Sequence, residues 1–459
     1  MTPRGSEISD GFDISERPHS PSDDVGRRVA IVGGGTAAET LVAELDGSGF
    51  DITVFEDDRV GGECPFVACM PTKAMLHDAS IGRTWAEAVR RRHHVVEQLD
   101  DSQHAADLAH NGATLVRSRA SIVATGKVAA DGIHYAVDHI VVATGSEPVV
   151  PPIEGIEAIA ERCWTSADAM TTDHRPTRLT ILGGGVIGCE LATIYSRLGT
   201  EVHLLDVSAT AFPDLPAEIG SIVDDSLQAV GVRVRRGVEV AAVEPRGSGV
   251  RIRLDDGACL DTDRLVVATG TRPRTRGIGL EHLGIDPDAP LPVDTTGRVS
   301  AEGSLWAIGD VAGRGEYTHL ANHQARVVAD ALTGRGDRRF DDVVVPACVF
   351  TDPPVITIGP TPAELGTTVL WESTSLSEVP RASTDEYGEG YLTVGVDRST
   401  RRLVAAHGIG AHFDVLAAAL VTAIDAKVPV EQLARSMWPF PTVGELLGVV
   451  YSSASASLD

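Results

Sequence analysis

The stretch RVAIVGGGTAA at residues 28–38 decides the fold of this chain. Its first five residues are mainly apolar and predict a buried strand. The glycines after it form a GxGxxA turn, in which Gly33 permits the tight bend and Gly35 leaves room for a pyrophosphate. The small Ala38 lets the next helix, predicted over residues 39–45, pack close to the strand with its N-terminus facing the phosphates. The pattern predicts a dinucleotide-binding unit.

The strand after this helix ends in an acid suited to binding ribose. It is predicted over residues 51–56, and Glu56 stands about 20 residues after the turn. A carboxylate at that position can accept hydrogen bonds from the ribose hydroxyl groups. Strand, turn, helix, strand and terminal acid therefore occur in the order of a nucleotide-binding βαβ unit.

The same order of elements returns in the middle of the chain. A short strand over residues 179–182 leads into a full GxGxxG turn, and a helix is predicted over residues 190–198. The three glycines of that turn are Gly183, Gly185 and Gly188. The following strand, residues 201–206, ends in Asp206. Because the whole order occurs twice, the sequence predicts two nucleotide sites.

The acid Asp206 bears on which nucleotide the second turn binds. Its carboxylate can hold a free 2′-hydroxyl, whereas it would repel a 2′-phosphate. Residues 207–210 (VSAT) supply no arginine that could receive such a phosphate. The sequence therefore favours NADH over NADPH.

A pair of cysteines lies between the two turns, in the stretch GGECPFVACMPTK at residues 61–73. Cys64 and Cys69 stand five residues apart, and Pro71 suits the first turn of a helix. A thiol at a helix N-terminus faces the positive end of the helix dipole, which favours its thiolate. The stretch therefore predicts a redox pair. The remaining cysteines are interpreted as small buried apolar residues: Cys163, Cys189, Cys259 and Cys348.

Composition limits the classes of partner and the compartment. The chain has 459 residues, 43% apolar and 23% charged, which is ordinary for a globular protein. A net charge of -26 argues against binding to nucleic acid or to an anionic membrane surface. No apolar run approaches the ~20 residues of a membrane span, and the N-terminus lacks the order of a signal peptide. We expect a cytoplasmic protein, in whose reducing surroundings a cysteine pair is catalytic or metal-binding more often than structural.

Three further segments complete a pattern that resembles a known family. IVVATG at residues 140–145 and LVVATG at residues 265–270 echo each other, and SLWAIGD at residues 304–310 ends in a Gly-Asp pair. With both glycine turns and the cysteine pair, residues 28–453 resemble the flavoprotein disulfide reductases, the family of dihydrolipoamide dehydrogenase, glutathione reductase and mercuric reductase. The resemblance implies an α/β fold with two Rossmann-like domains, for FAD and NAD, and a C-terminal α+β dimerisation domain that forms a homodimer.

The resemblance also implies domain boundaries. The FAD-binding domain would comprise residues 28–150 and 272–338, and the NAD-binding domain, residues 151–271, would be inserted between them. Residues 339–459 would form the dimerisation domain, and residues 1–27, rich in polar residues, are predicted to be a disordered tail. In the last domain we expect strands at residues 349–354, 391–396 and 403–407 and a helix at residues 413–426.

The mechanism that the resemblance implies is hydride transfer from NADH through FAD to the Cys64–Cys69 disulfide, and from there to a small disulfide or dithiol. Cys69 matches the thiolate beside the flavin, and Cys64 matches the thiol that attacks the substrate. Lys73 and Glu190 match a charge pair near the flavin, although each could also be a plain surface charge on a helix.

The predicted cofactor contacts follow from the turns and the three segments. Those assigned to FAD are Gly33, Gly35, Ala38, Glu56, Lys73, Gly145, Gly309 and Asp310. Those assigned to NAD are Gly183, Gly185, Gly188, Asp206 and Gly270. Asp310 could accept a hydrogen bond from a ribityl hydroxyl, or it could be an ordinary turn residue. A helix predicted to begin near His319 would point its positive end at the reduced flavin.

One segment departs from the family pattern. Disulfide-reducing members carry a His-Pro-Thr segment with a glutamate five residues after the histidine, and the matching segment here is WPFPTVGE at residues 438–445. Phe440 takes the histidine position, while Glu445 is kept. A phenyl ring cannot exchange a proton, and general acid–base catalysis is typically worth ~10²–10⁴-fold. Alternatively, Glu445 is an ordinary first-turn acid, and Phe440 and Trp438 fill the dimer interface.

Three functions remain open at this point. The leading hypothesis is an FAD-dependent pyridine nucleotide-disulfide oxidoreductase with unusual proton handling. The main alternative is a diaphorase-type enzyme that passes electrons from the flavin to a quinone or a metal species, with the cysteines as an electron store. The third is a non-catalytic flavoprotein that serves as a scaffold for a partner.

Overall fold

The computed structural model describes residues 27–299 and 304–459. In these ranges the strands form three five-stranded sheets with helices against them, together with smaller sheets. The predicted α/β architecture is confirmed. The predicted disordered tail falls almost entirely outside the described residues.

The first large sheet is parallel and grows from the stretch that opened the sequence. The central strand Arg28–Val32 pairs on one side with Asp51–Phe55 and on the other with His139–Val142. In spatial order the strands are Leu305–Ala307, His139–Val142, Arg28–Val32, Asp51–Phe55 and Ala113–Val116. Helices Thr36–Leu45 and Thr318–Thr333 pack against each other beside this sheet. Because side chains alternate along a strand, the central strand contributes to two separate apolar clusters, as expected for a sheet buried on both faces.

The second large sheet repeats this plan. Its strands, in spatial order, are Arg233–Arg236, Glu201–Asp206, Arg178–Leu182, Arg264–Val267 and Cys163–Trp164, all parallel. The helix after its glycine turn is Val186–Arg197, which begins four residues before the predicted start. The first turn shows the same difference, since helix Thr36–Leu45 begins before residue 39. In both cases the helix starts directly after the second glycine of the motif, Gly35 or Gly185, whose position as N-cap the apolar pattern does not reveal.

The third large sheet is antiparallel and C-terminal. Its strands, in spatial order, are Pro346–Val349, Val355–Ile358, Arg402–Ile409, Tyr391–Asp397 and Val369–Ser375. Helices Phe413–Asp425 and Glu445–Ser457 share its apolar core. The expected strand at residues 349–354 is wrong, because the chain turns between Val349 and Val355. Pro353 and Pro354 lie in that turn, where a residue without an N–H costs the sheet no hydrogen bond.

Smaller elements complete the chain. Strands Ser146–Pro148 and Thr271–Pro273 pair antiparallel where the chain leaves and re-enters the first nucleotide domain. Two three-stranded antiparallel sheets consist of Ala120–Ala124, Lys127–Ala130 and Ile133–Ala136, and of Val240–Arg246, Gly249–Leu254 and Cys259–Thr262. The other α-helices are Glu63–Phe66, Cys69–Ser80, Trp85–Val95, Ser102–His110, Ser166–Thr171, Ala217–Ala229, Pro362–Leu365, Pro380–Thr384 and Val430–Ala434. Short 3₁₀ segments are Glu97–Leu99, Ile156–Arg162, Leu280–Leu283, Asp310–Ala312, Gly366–Thr368 and Leu376–Glu378.

The helices in the described part of the chain are all too short or too polar to cross a lipid bilayer.

Candidate active site

The cysteine segment is attached directly to the first glycine turn. The Gly61 N–H donates to the Gly34 carbonyl at 2.8 Å, and Gly35 and Gly61 form an isolated parallel bridge. Gly62 has a φ of 73°, and a Cβ at this residue would lie 3.0 Å from the Gly35 Cα atom. Only glycine fits this close approach without strain. The cysteine pair is therefore carried to the edge of the first nucleotide site by backbone contacts.

Both cysteines lie at helical positions and are partly buried. Cys64 belongs to the short helix Glu63–Phe66, and Cys69 is the first residue of helix Cys69–Ser80. Pro71 falls in the first turn of that helix, where a residue without an N–H is tolerated. The structure therefore places Cys69 at a helix N-terminus, where the helix dipole favours a thiolate.

The two thiols differ strongly in acidity. The pKa of Cys69 is lowered to about 6, first by the hydrogen bond from Cys64 and, against the effect of burial, also by Thr318 and the charge of Lys73. The pKa of Cys64 is raised, first by its hydrogen bond to Cys69 and then by burial. Near neutral pH the reduced pair therefore holds one proton, on Cys64, which it shares with the Cys69 thiolate.

Thr318 is a site residue that the sequence reasoning missed. Its Oγ1 lies 3.8 Å from the Cys69 Sγ, and its hydroxyl lowers the pKa of both thiols. The predicted helix was placed near His319, whereas the helix is Thr318–Thr333 and Thr318 is its first residue. A hydroxyl residue at a helix start was the available signal, but it did not indicate which thiol lies nearby.

Lys73 and Glu190 meet as an ion pair, with the Lys73 Nζ 2.8 Å from the Glu190 Oε2. The Glu190 side chain is 3% exposed and that of Lys73 37% exposed, so neither is a plain surface charge. The other oxygen of Glu190 accepts from the Phe350 N–H at 2.9 Å, and the Lys73 ammonium lies 4.8 Å from the Phe350 ring centre. A buried carboxylate needs such partners, because leaving it unpaired is costly. The pair joins the cysteine helix to helix Val186–Arg197 and to the C-terminal sheet.

The first glycine turn has the shape that a pyrophosphate requires. Gly33 has a φ of 102°, and a Cβ there would overlap the Ala143 carbonyl oxygen. The Glu56 Oε2 accepts from the Gly34 N–H at 2.6 Å, which fixes the carboxylate at the turn. A cavity of about 240 Å³ opens beside it, lined among others by Glu56, Arg119 and Thr144. These features fit the adenosine half of a dinucleotide.

Polar groups extend this site along the sheet edge. The Ser146 Oγ donates to the Asp310 Oδ2 at 2.8 Å, and burial raises the pKa of Asp310. The Gly309 N–H donates to the Gln324 Oε1 at 2.7 Å, while the fully buried Gln324 Nε2 has no hydrogen-bond partner within the described ranges. A buried acid and an unpaired amide donor suit a polyhydroxylated chain such as the ribityl group of FAD. Gly145, which precedes Ser146, has a φ of 70°.

The second glycine turn has a nearly identical backbone. Gly183 has a φ of 105°, a Cβ there would overlap the Ala268 carbonyl oxygen, and a Cβ on Gly188 would overlap the Gly183 carbonyl oxygen. The Asp206 Oδ2 accepts from the Gly184 N–H at 2.6 Å. Gly185 has open space where a Cβ would project, and Gly270 adopts a φ of 104°. The donors and the open turn fit a second dinucleotide.

Arg236 is the second residue that the sequence reasoning missed. Its Nη1 lies 3.4 Å from the Asp206 Oδ2. Residues 207–210 carry no arginine, whereas Arg236 comes from the neighbouring strand, in which it is the register partner of Asp206. Parallel strand pairing places Arg236 next to Asp206, although the two residues are 30 positions apart in the sequence.

The C-terminal segment at residues 438–445 makes its described contacts with residues of the C-terminal helix and with itself. Glu445 begins helix Glu445–Ser457, and its Oε2 accepts from the Thr442 N–H at 3.1 Å, as an ordinary first-turn acid does. The Phe440 side chain is 73% exposed, whereas the Trp438 ring packs 6.2 Å from that of Tyr451. No hydrogen bond or ion pair in the described part of the chain joins Glu445 to Cys64 or Cys69.

Comparison with protein families gives two matches, which are separated by residues 326–344. Residues 27–325 match the model described as pyridine nucleotide-disulphide oxidoreductase, and residues 345–450 match the dimerisation domain of the same family. The two matches cover both nucleotide domains and the antiparallel sheet. They fit the predicted fold class of two Rossmann-like domains with a C-terminal dimerisation domain.

Individual proteins are similar over nearly the whole chain. A dihydrolipoyl dehydrogenase of Pseudomonas aeruginosa is 30% identical over 454 residues, covering 90% of this chain and 94% of its own length. A mercuric reductase of Streptomyces lividans is 30% identical over 455 residues, covering 92% of this chain and 95% of its own length. Among solved structures, the Cu(II) complex of the HOCl-induced flavoprotein disulfide reductase RclA from Escherichia coli has a TM-score of 0.82 at 26% identity, covering 93% of this chain and 99% of that one.

Proposed function

Because the chain belongs to the pyridine nucleotide-disulphide oxidoreductase family, whose members are FAD-dependent enzymes, we propose that Cys64 and Cys69 are its redox-active pair. In this family, bound FAD passes the hydride of NAD(P)H on to a disulfide. The observation that supports our assignment most strongly is the position of Cys69. It lies at a helix N-terminus beside the first glycine turn, hydrogen-bonded to Cys64, with its pKa lowered to about 6.

The reduced pair would act on a disulfide in two exchanges. The proton of Cys64 moves along its hydrogen bond to Cys69, and the Cys64 thiolate attacks one substrate sulfur, which breaks the substrate S–S bond and forms a mixed disulfide. The departing thiolate takes a proton. Cys69, which has given its proton to that thiolate, then attacks the Cys64 sulfur and restores the Cys64–Cys69 disulfide. The second substrate sulfur leaves as a thiolate and takes its proton from solvent. One electron pair leaves the protein in each cycle.

Lys73 and Glu190 have a positioning role in this proposal. The ammonium of Lys73 is held by Glu190 and lowers the pKa of Cys69 through its charge. It therefore favours the thiolate, and it places a positive charge on the side of the helix that faces the second nucleotide domain. A surface lysine without this buried partner would move freely and contribute less.

The two nucleotides are assigned to the two turns. FAD would be held by the first turn, with Glu56 at its ribose and Asp310 and Gly309 along the ribityl chain; Gly33, Gly35, Ala38, Lys73 and Gly145 complete this set. NADH would be held by the second turn, with Asp206 at its ribose; Gly183, Gly185, Gly188 and Gly270 complete that set. The carboxylate of Asp206 supports NADH rather than NADPH.

A homodimer would complete the acceptor side of the site. The chain carries the dimerisation domain of the family, and Phe440 projects 73% exposed from that domain. We propose that Phe440 of a second copy faces Cys64, at the position where disulfide-reducing relatives carry a histidine, with Glu445 behind it. The site then lacks an external base, and the hydrogen bond between the two thiols is the remaining route for the Cys64 proton.

A metal ion or quinone is the second candidate acceptor. The observation that favours it is the phenyl ring of Phe440, because electron transfer to such an acceptor needs no base at this position. Relatives named mercuric reductase and a structure titled as a Cu(II) complex of RclA fit a metal acceptor. We nevertheless place a small disulfide or dithiol first, because both thiols and their hydrogen bond are retained.

The domain boundaries and the compartment remain part of the proposal. The FAD domain at residues 28–150 and 272–338, the NAD domain at 151–271 and the dimerisation domain at 339–459 are supported by the membership of the three large sheets. A cytoplasmic location is supported by the need of the dithiol for reducing surroundings.

The test compares Cys64→Ala and Cys69→Ser with the wild type, using NADH with a lipoamide-like disulfide, a quinone and Cu(II) as separate acceptors. Cys259→Ser is the matched control, because Cys259 is exposed, contrary to the expectation of a buried residue, and lies far along the sequence from the pair. We expect both site variants to lose disulfide reduction to background and the control to keep it. If Cys64→Ala left turnover with every acceptor unchanged, the dithiol proposal would be wrong.

A further inference from the structure

Three charged side chains form a cluster beside the second glycine turn. The Arg236 Nε donates to both carboxylate oxygens of Asp224 at 2.9 Å, and the Arg236 Nη1 lies 3.4 Å from the Asp206 Oδ2. Arg236 is only 6% exposed, while Asp206 is 14% and Asp224 23% exposed. The arginine ends strand Arg233–Arg236, and Asp224 lies on helix Ala217–Ala229. The guanidinium is therefore held between two acids from different elements.

The cluster lies at the place where a nucleotide ribose is recognised. A Cβ on Gly184 would lie 2.5 Å from the Arg236 Nη1 and 2.7 Å from the Asp206 Oδ2. Arginine and acid therefore contact the same point of the turn. An arginine near the ribose acid is the side chain that accommodates a 2′-phosphate in NADP-binding sites, whereas the acid alone selects a free 2′-hydroxyl. This chain carries both groups.

We propose that Asp224 determines the nucleotide preference by keeping Arg236 unavailable to a 2′-phosphate. This inference rests on the proposed function, in which the second turn binds the pyridine nucleotide. Asp224 occupies the Nε edge of the guanidinium, and a phosphate needs two parallel N–H donors from one edge of that fork for a strong contact. The buried stem of Arg236 leaves the head little freedom to turn another edge outward.

Charge supports the same conclusion. Two carboxylates and one guanidinium give the cluster a net negative charge, which repels a 2′-phosphate while a neutral hydroxyl is unaffected. Without the Asp224 charge the cluster is neutral, and an asparagine at this position offers the Nε edge of Arg236 one uncharged acceptor in place of two charged ones. Asp206 keeps its contact with the Gly184 N–H in either case, so recognition of the unphosphorylated ribose is retained.

The experiment is calorimetric titration of the oxidised, FAD-loaded protein with NADP⁺ and with NAD⁺, which measures binding without turnover. Asp224→Asn should tighten NADP⁺ binding roughly tenfold, because one unit of negative charge and one competing acceptor are removed. Binding of NAD⁺ should stay within about twofold, since the contact that recognises its ribose is unchanged. Asp225→Asn is the matched control, because it removes the same charge from the exposed neighbouring position, and it should leave both affinities unchanged.

A second variant tests whether the gain in NADP⁺ affinity comes from the Arg236 guanidinium or from the loss of the Asp224 charge alone. Asp224→Asn combined with Arg236→Met should lose the gain for NADP⁺, because the receiving guanidinium is absent. If Asp224→Asn does not fold, which flavin retention reports, Asp224→Ser is used in its place with the same expectation.

Three results would overturn the inference. They are unchanged NADP⁺ binding in a folded Asp224 variant, an equal gain in Asp225→Asn, and a gain that persists in the double variant. Wild-type protein that bound neither nucleotide would reject the second turn as the nucleotide site and, with it, this inference. Because NAD⁺ is titrated in parallel, failure of the proposed site and failure of the Asp224 role give different results.

Discussion

The two glycine turns of this chain have almost the same backbone but different surroundings. In each, the first glycine adopts a φ near that of its counterpart, 102° at Gly33 and 105° at Gly183. In each, an acid accepts from the next N–H at 2.6 Å, Glu56 in the first turn and Asp206 in the second. The backbone is thus set by what a pyrophosphate requires of any turn. A preference of the two turns for different nucleotides must therefore come from side chains outside the turns.

Those outside contacts differ in a way that fits two distinct roles. The first turn is bonded through Gly34 to the cysteine segment, and a cavity adjoins its acid. The second turn adjoins the Arg236 and Asp224 cluster and packs its helix more tightly, with Gly188 in the place of Ala38. One turn is therefore attached to the proposed redox pair, while the other has a polar surface suited to a nucleotide that exchanges.

The largest expected effect concerns the third residue of each turn. Gly188→Ala would force a Cβ into the Gly183 carbonyl oxygen, so the second turn must distort, at a cost of about 1–3 kcal/mol in stability. We expect NAD(H) binding to be lost while flavin is retained. The reciprocal change Ala38→Gly should cost only about 0.5–1 kcal/mol and leave flavin bound. Thermal unfolding measures the stability of both variants, and calorimetric titration measures their NAD⁺ binding. Equal effects of Gly188→Ala and Ala38→Gly would contradict the tighter helix packing at the second turn.

The next largest effects are expected at Asp206 and Glu56, the acids that we propose bind the ribose of each nucleotide. Asp206→Asn replaces a charged acceptor by an amide, and hydrogen bonds to charged groups are worth about 1.5–3 kcal/mol, so NAD⁺ affinity should fall roughly 10–100-fold. Glu56→Gln should weaken flavin retention by a similar factor and leave NAD⁺ affinity of the reconstituted protein unchanged. Flavin release on dilution and NAD⁺ titration measure the two effects. If Asp206→Asn weakened flavin retention, or Glu56→Gln weakened NAD⁺ binding, by a comparable factor, the two acids would not serve separate nucleotides.

The Lys73–Glu190 ion pair should affect the stability of the protein without abolishing the binding of either nucleotide. Within the described residues, Lys73→Met leaves the buried Glu190 carboxylate with the Phe350 N–H as its one remaining partner. This should destabilise the protein by about 1–3 kcal/mol, less than for a fully buried pair, because Lys73 is partly exposed. Glu190→Gln is the matched change that removes the buried charge, and it should cost less than Lys73→Met. Urea unfolding of both variants gives the order, and the reverse order would contradict this account of the pair.

The smallest effect is a shift in the pH dependence of Cys69. The pKa of this thiol is lowered to about 6 from its usual value, so the thiolate is present above that pH and is lost as the pH falls through about 6. Thr318→Val removes one hydroxyl contact and should move the midpoint of alkylation by iodoacetamide upward, by roughly half a unit, within the range of a weak hydrogen bond. Cys64→Ala removes the largest cause of the lowered pKa and should move it further.

Thr333→Val is the control for this titration, because Thr333 ends the same helix far from the cysteines. Its midpoint should equal that of the wild type. A midpoint that stayed unchanged in Cys64→Ala would mean that the hydrogen bond between the thiols does not set the acidity of Cys69.

Local patterns were sufficient to predict much of this molecule. Both glycine turns, their terminal acids and the helix that begins at Cys69 follow from spacing over a few residues, because a tight turn and a helix start are determined locally. The strand expected at residues 349–354 failed for a local reason as well. That strand was expected from the resemblance alone, whereas Pro353 and Pro354 lie in a turn between strands Pro346–Val349 and Val355–Ile358.

The remaining site residues could not be predicted in this way. Arg236 reaches Asp206 through parallel strand pairing, and Glu190 reaches Lys73 across 117 residues of sequence. Spacing along the chain does not give strand register between distant segments or the rotamer of an arginine. The resemblance to a family supplied the Lys73–Glu190 pair, whereas Arg236 and Asp224 emerged only from the folded arrangement.

The most direct test of the central claim is an anaerobic reductive titration of the wild-type protein with NADH, followed by a count of the thiols that become reactive. We expect each chain to take up two electron pairs, one held by the cysteines and one by the flavin, and Cys64 to become alkylatable once a pair has passed on to the disulfide. Uptake of a single pair, with the alkylation of Cys64 unchanged, would contradict a working dithiol beside the first turn.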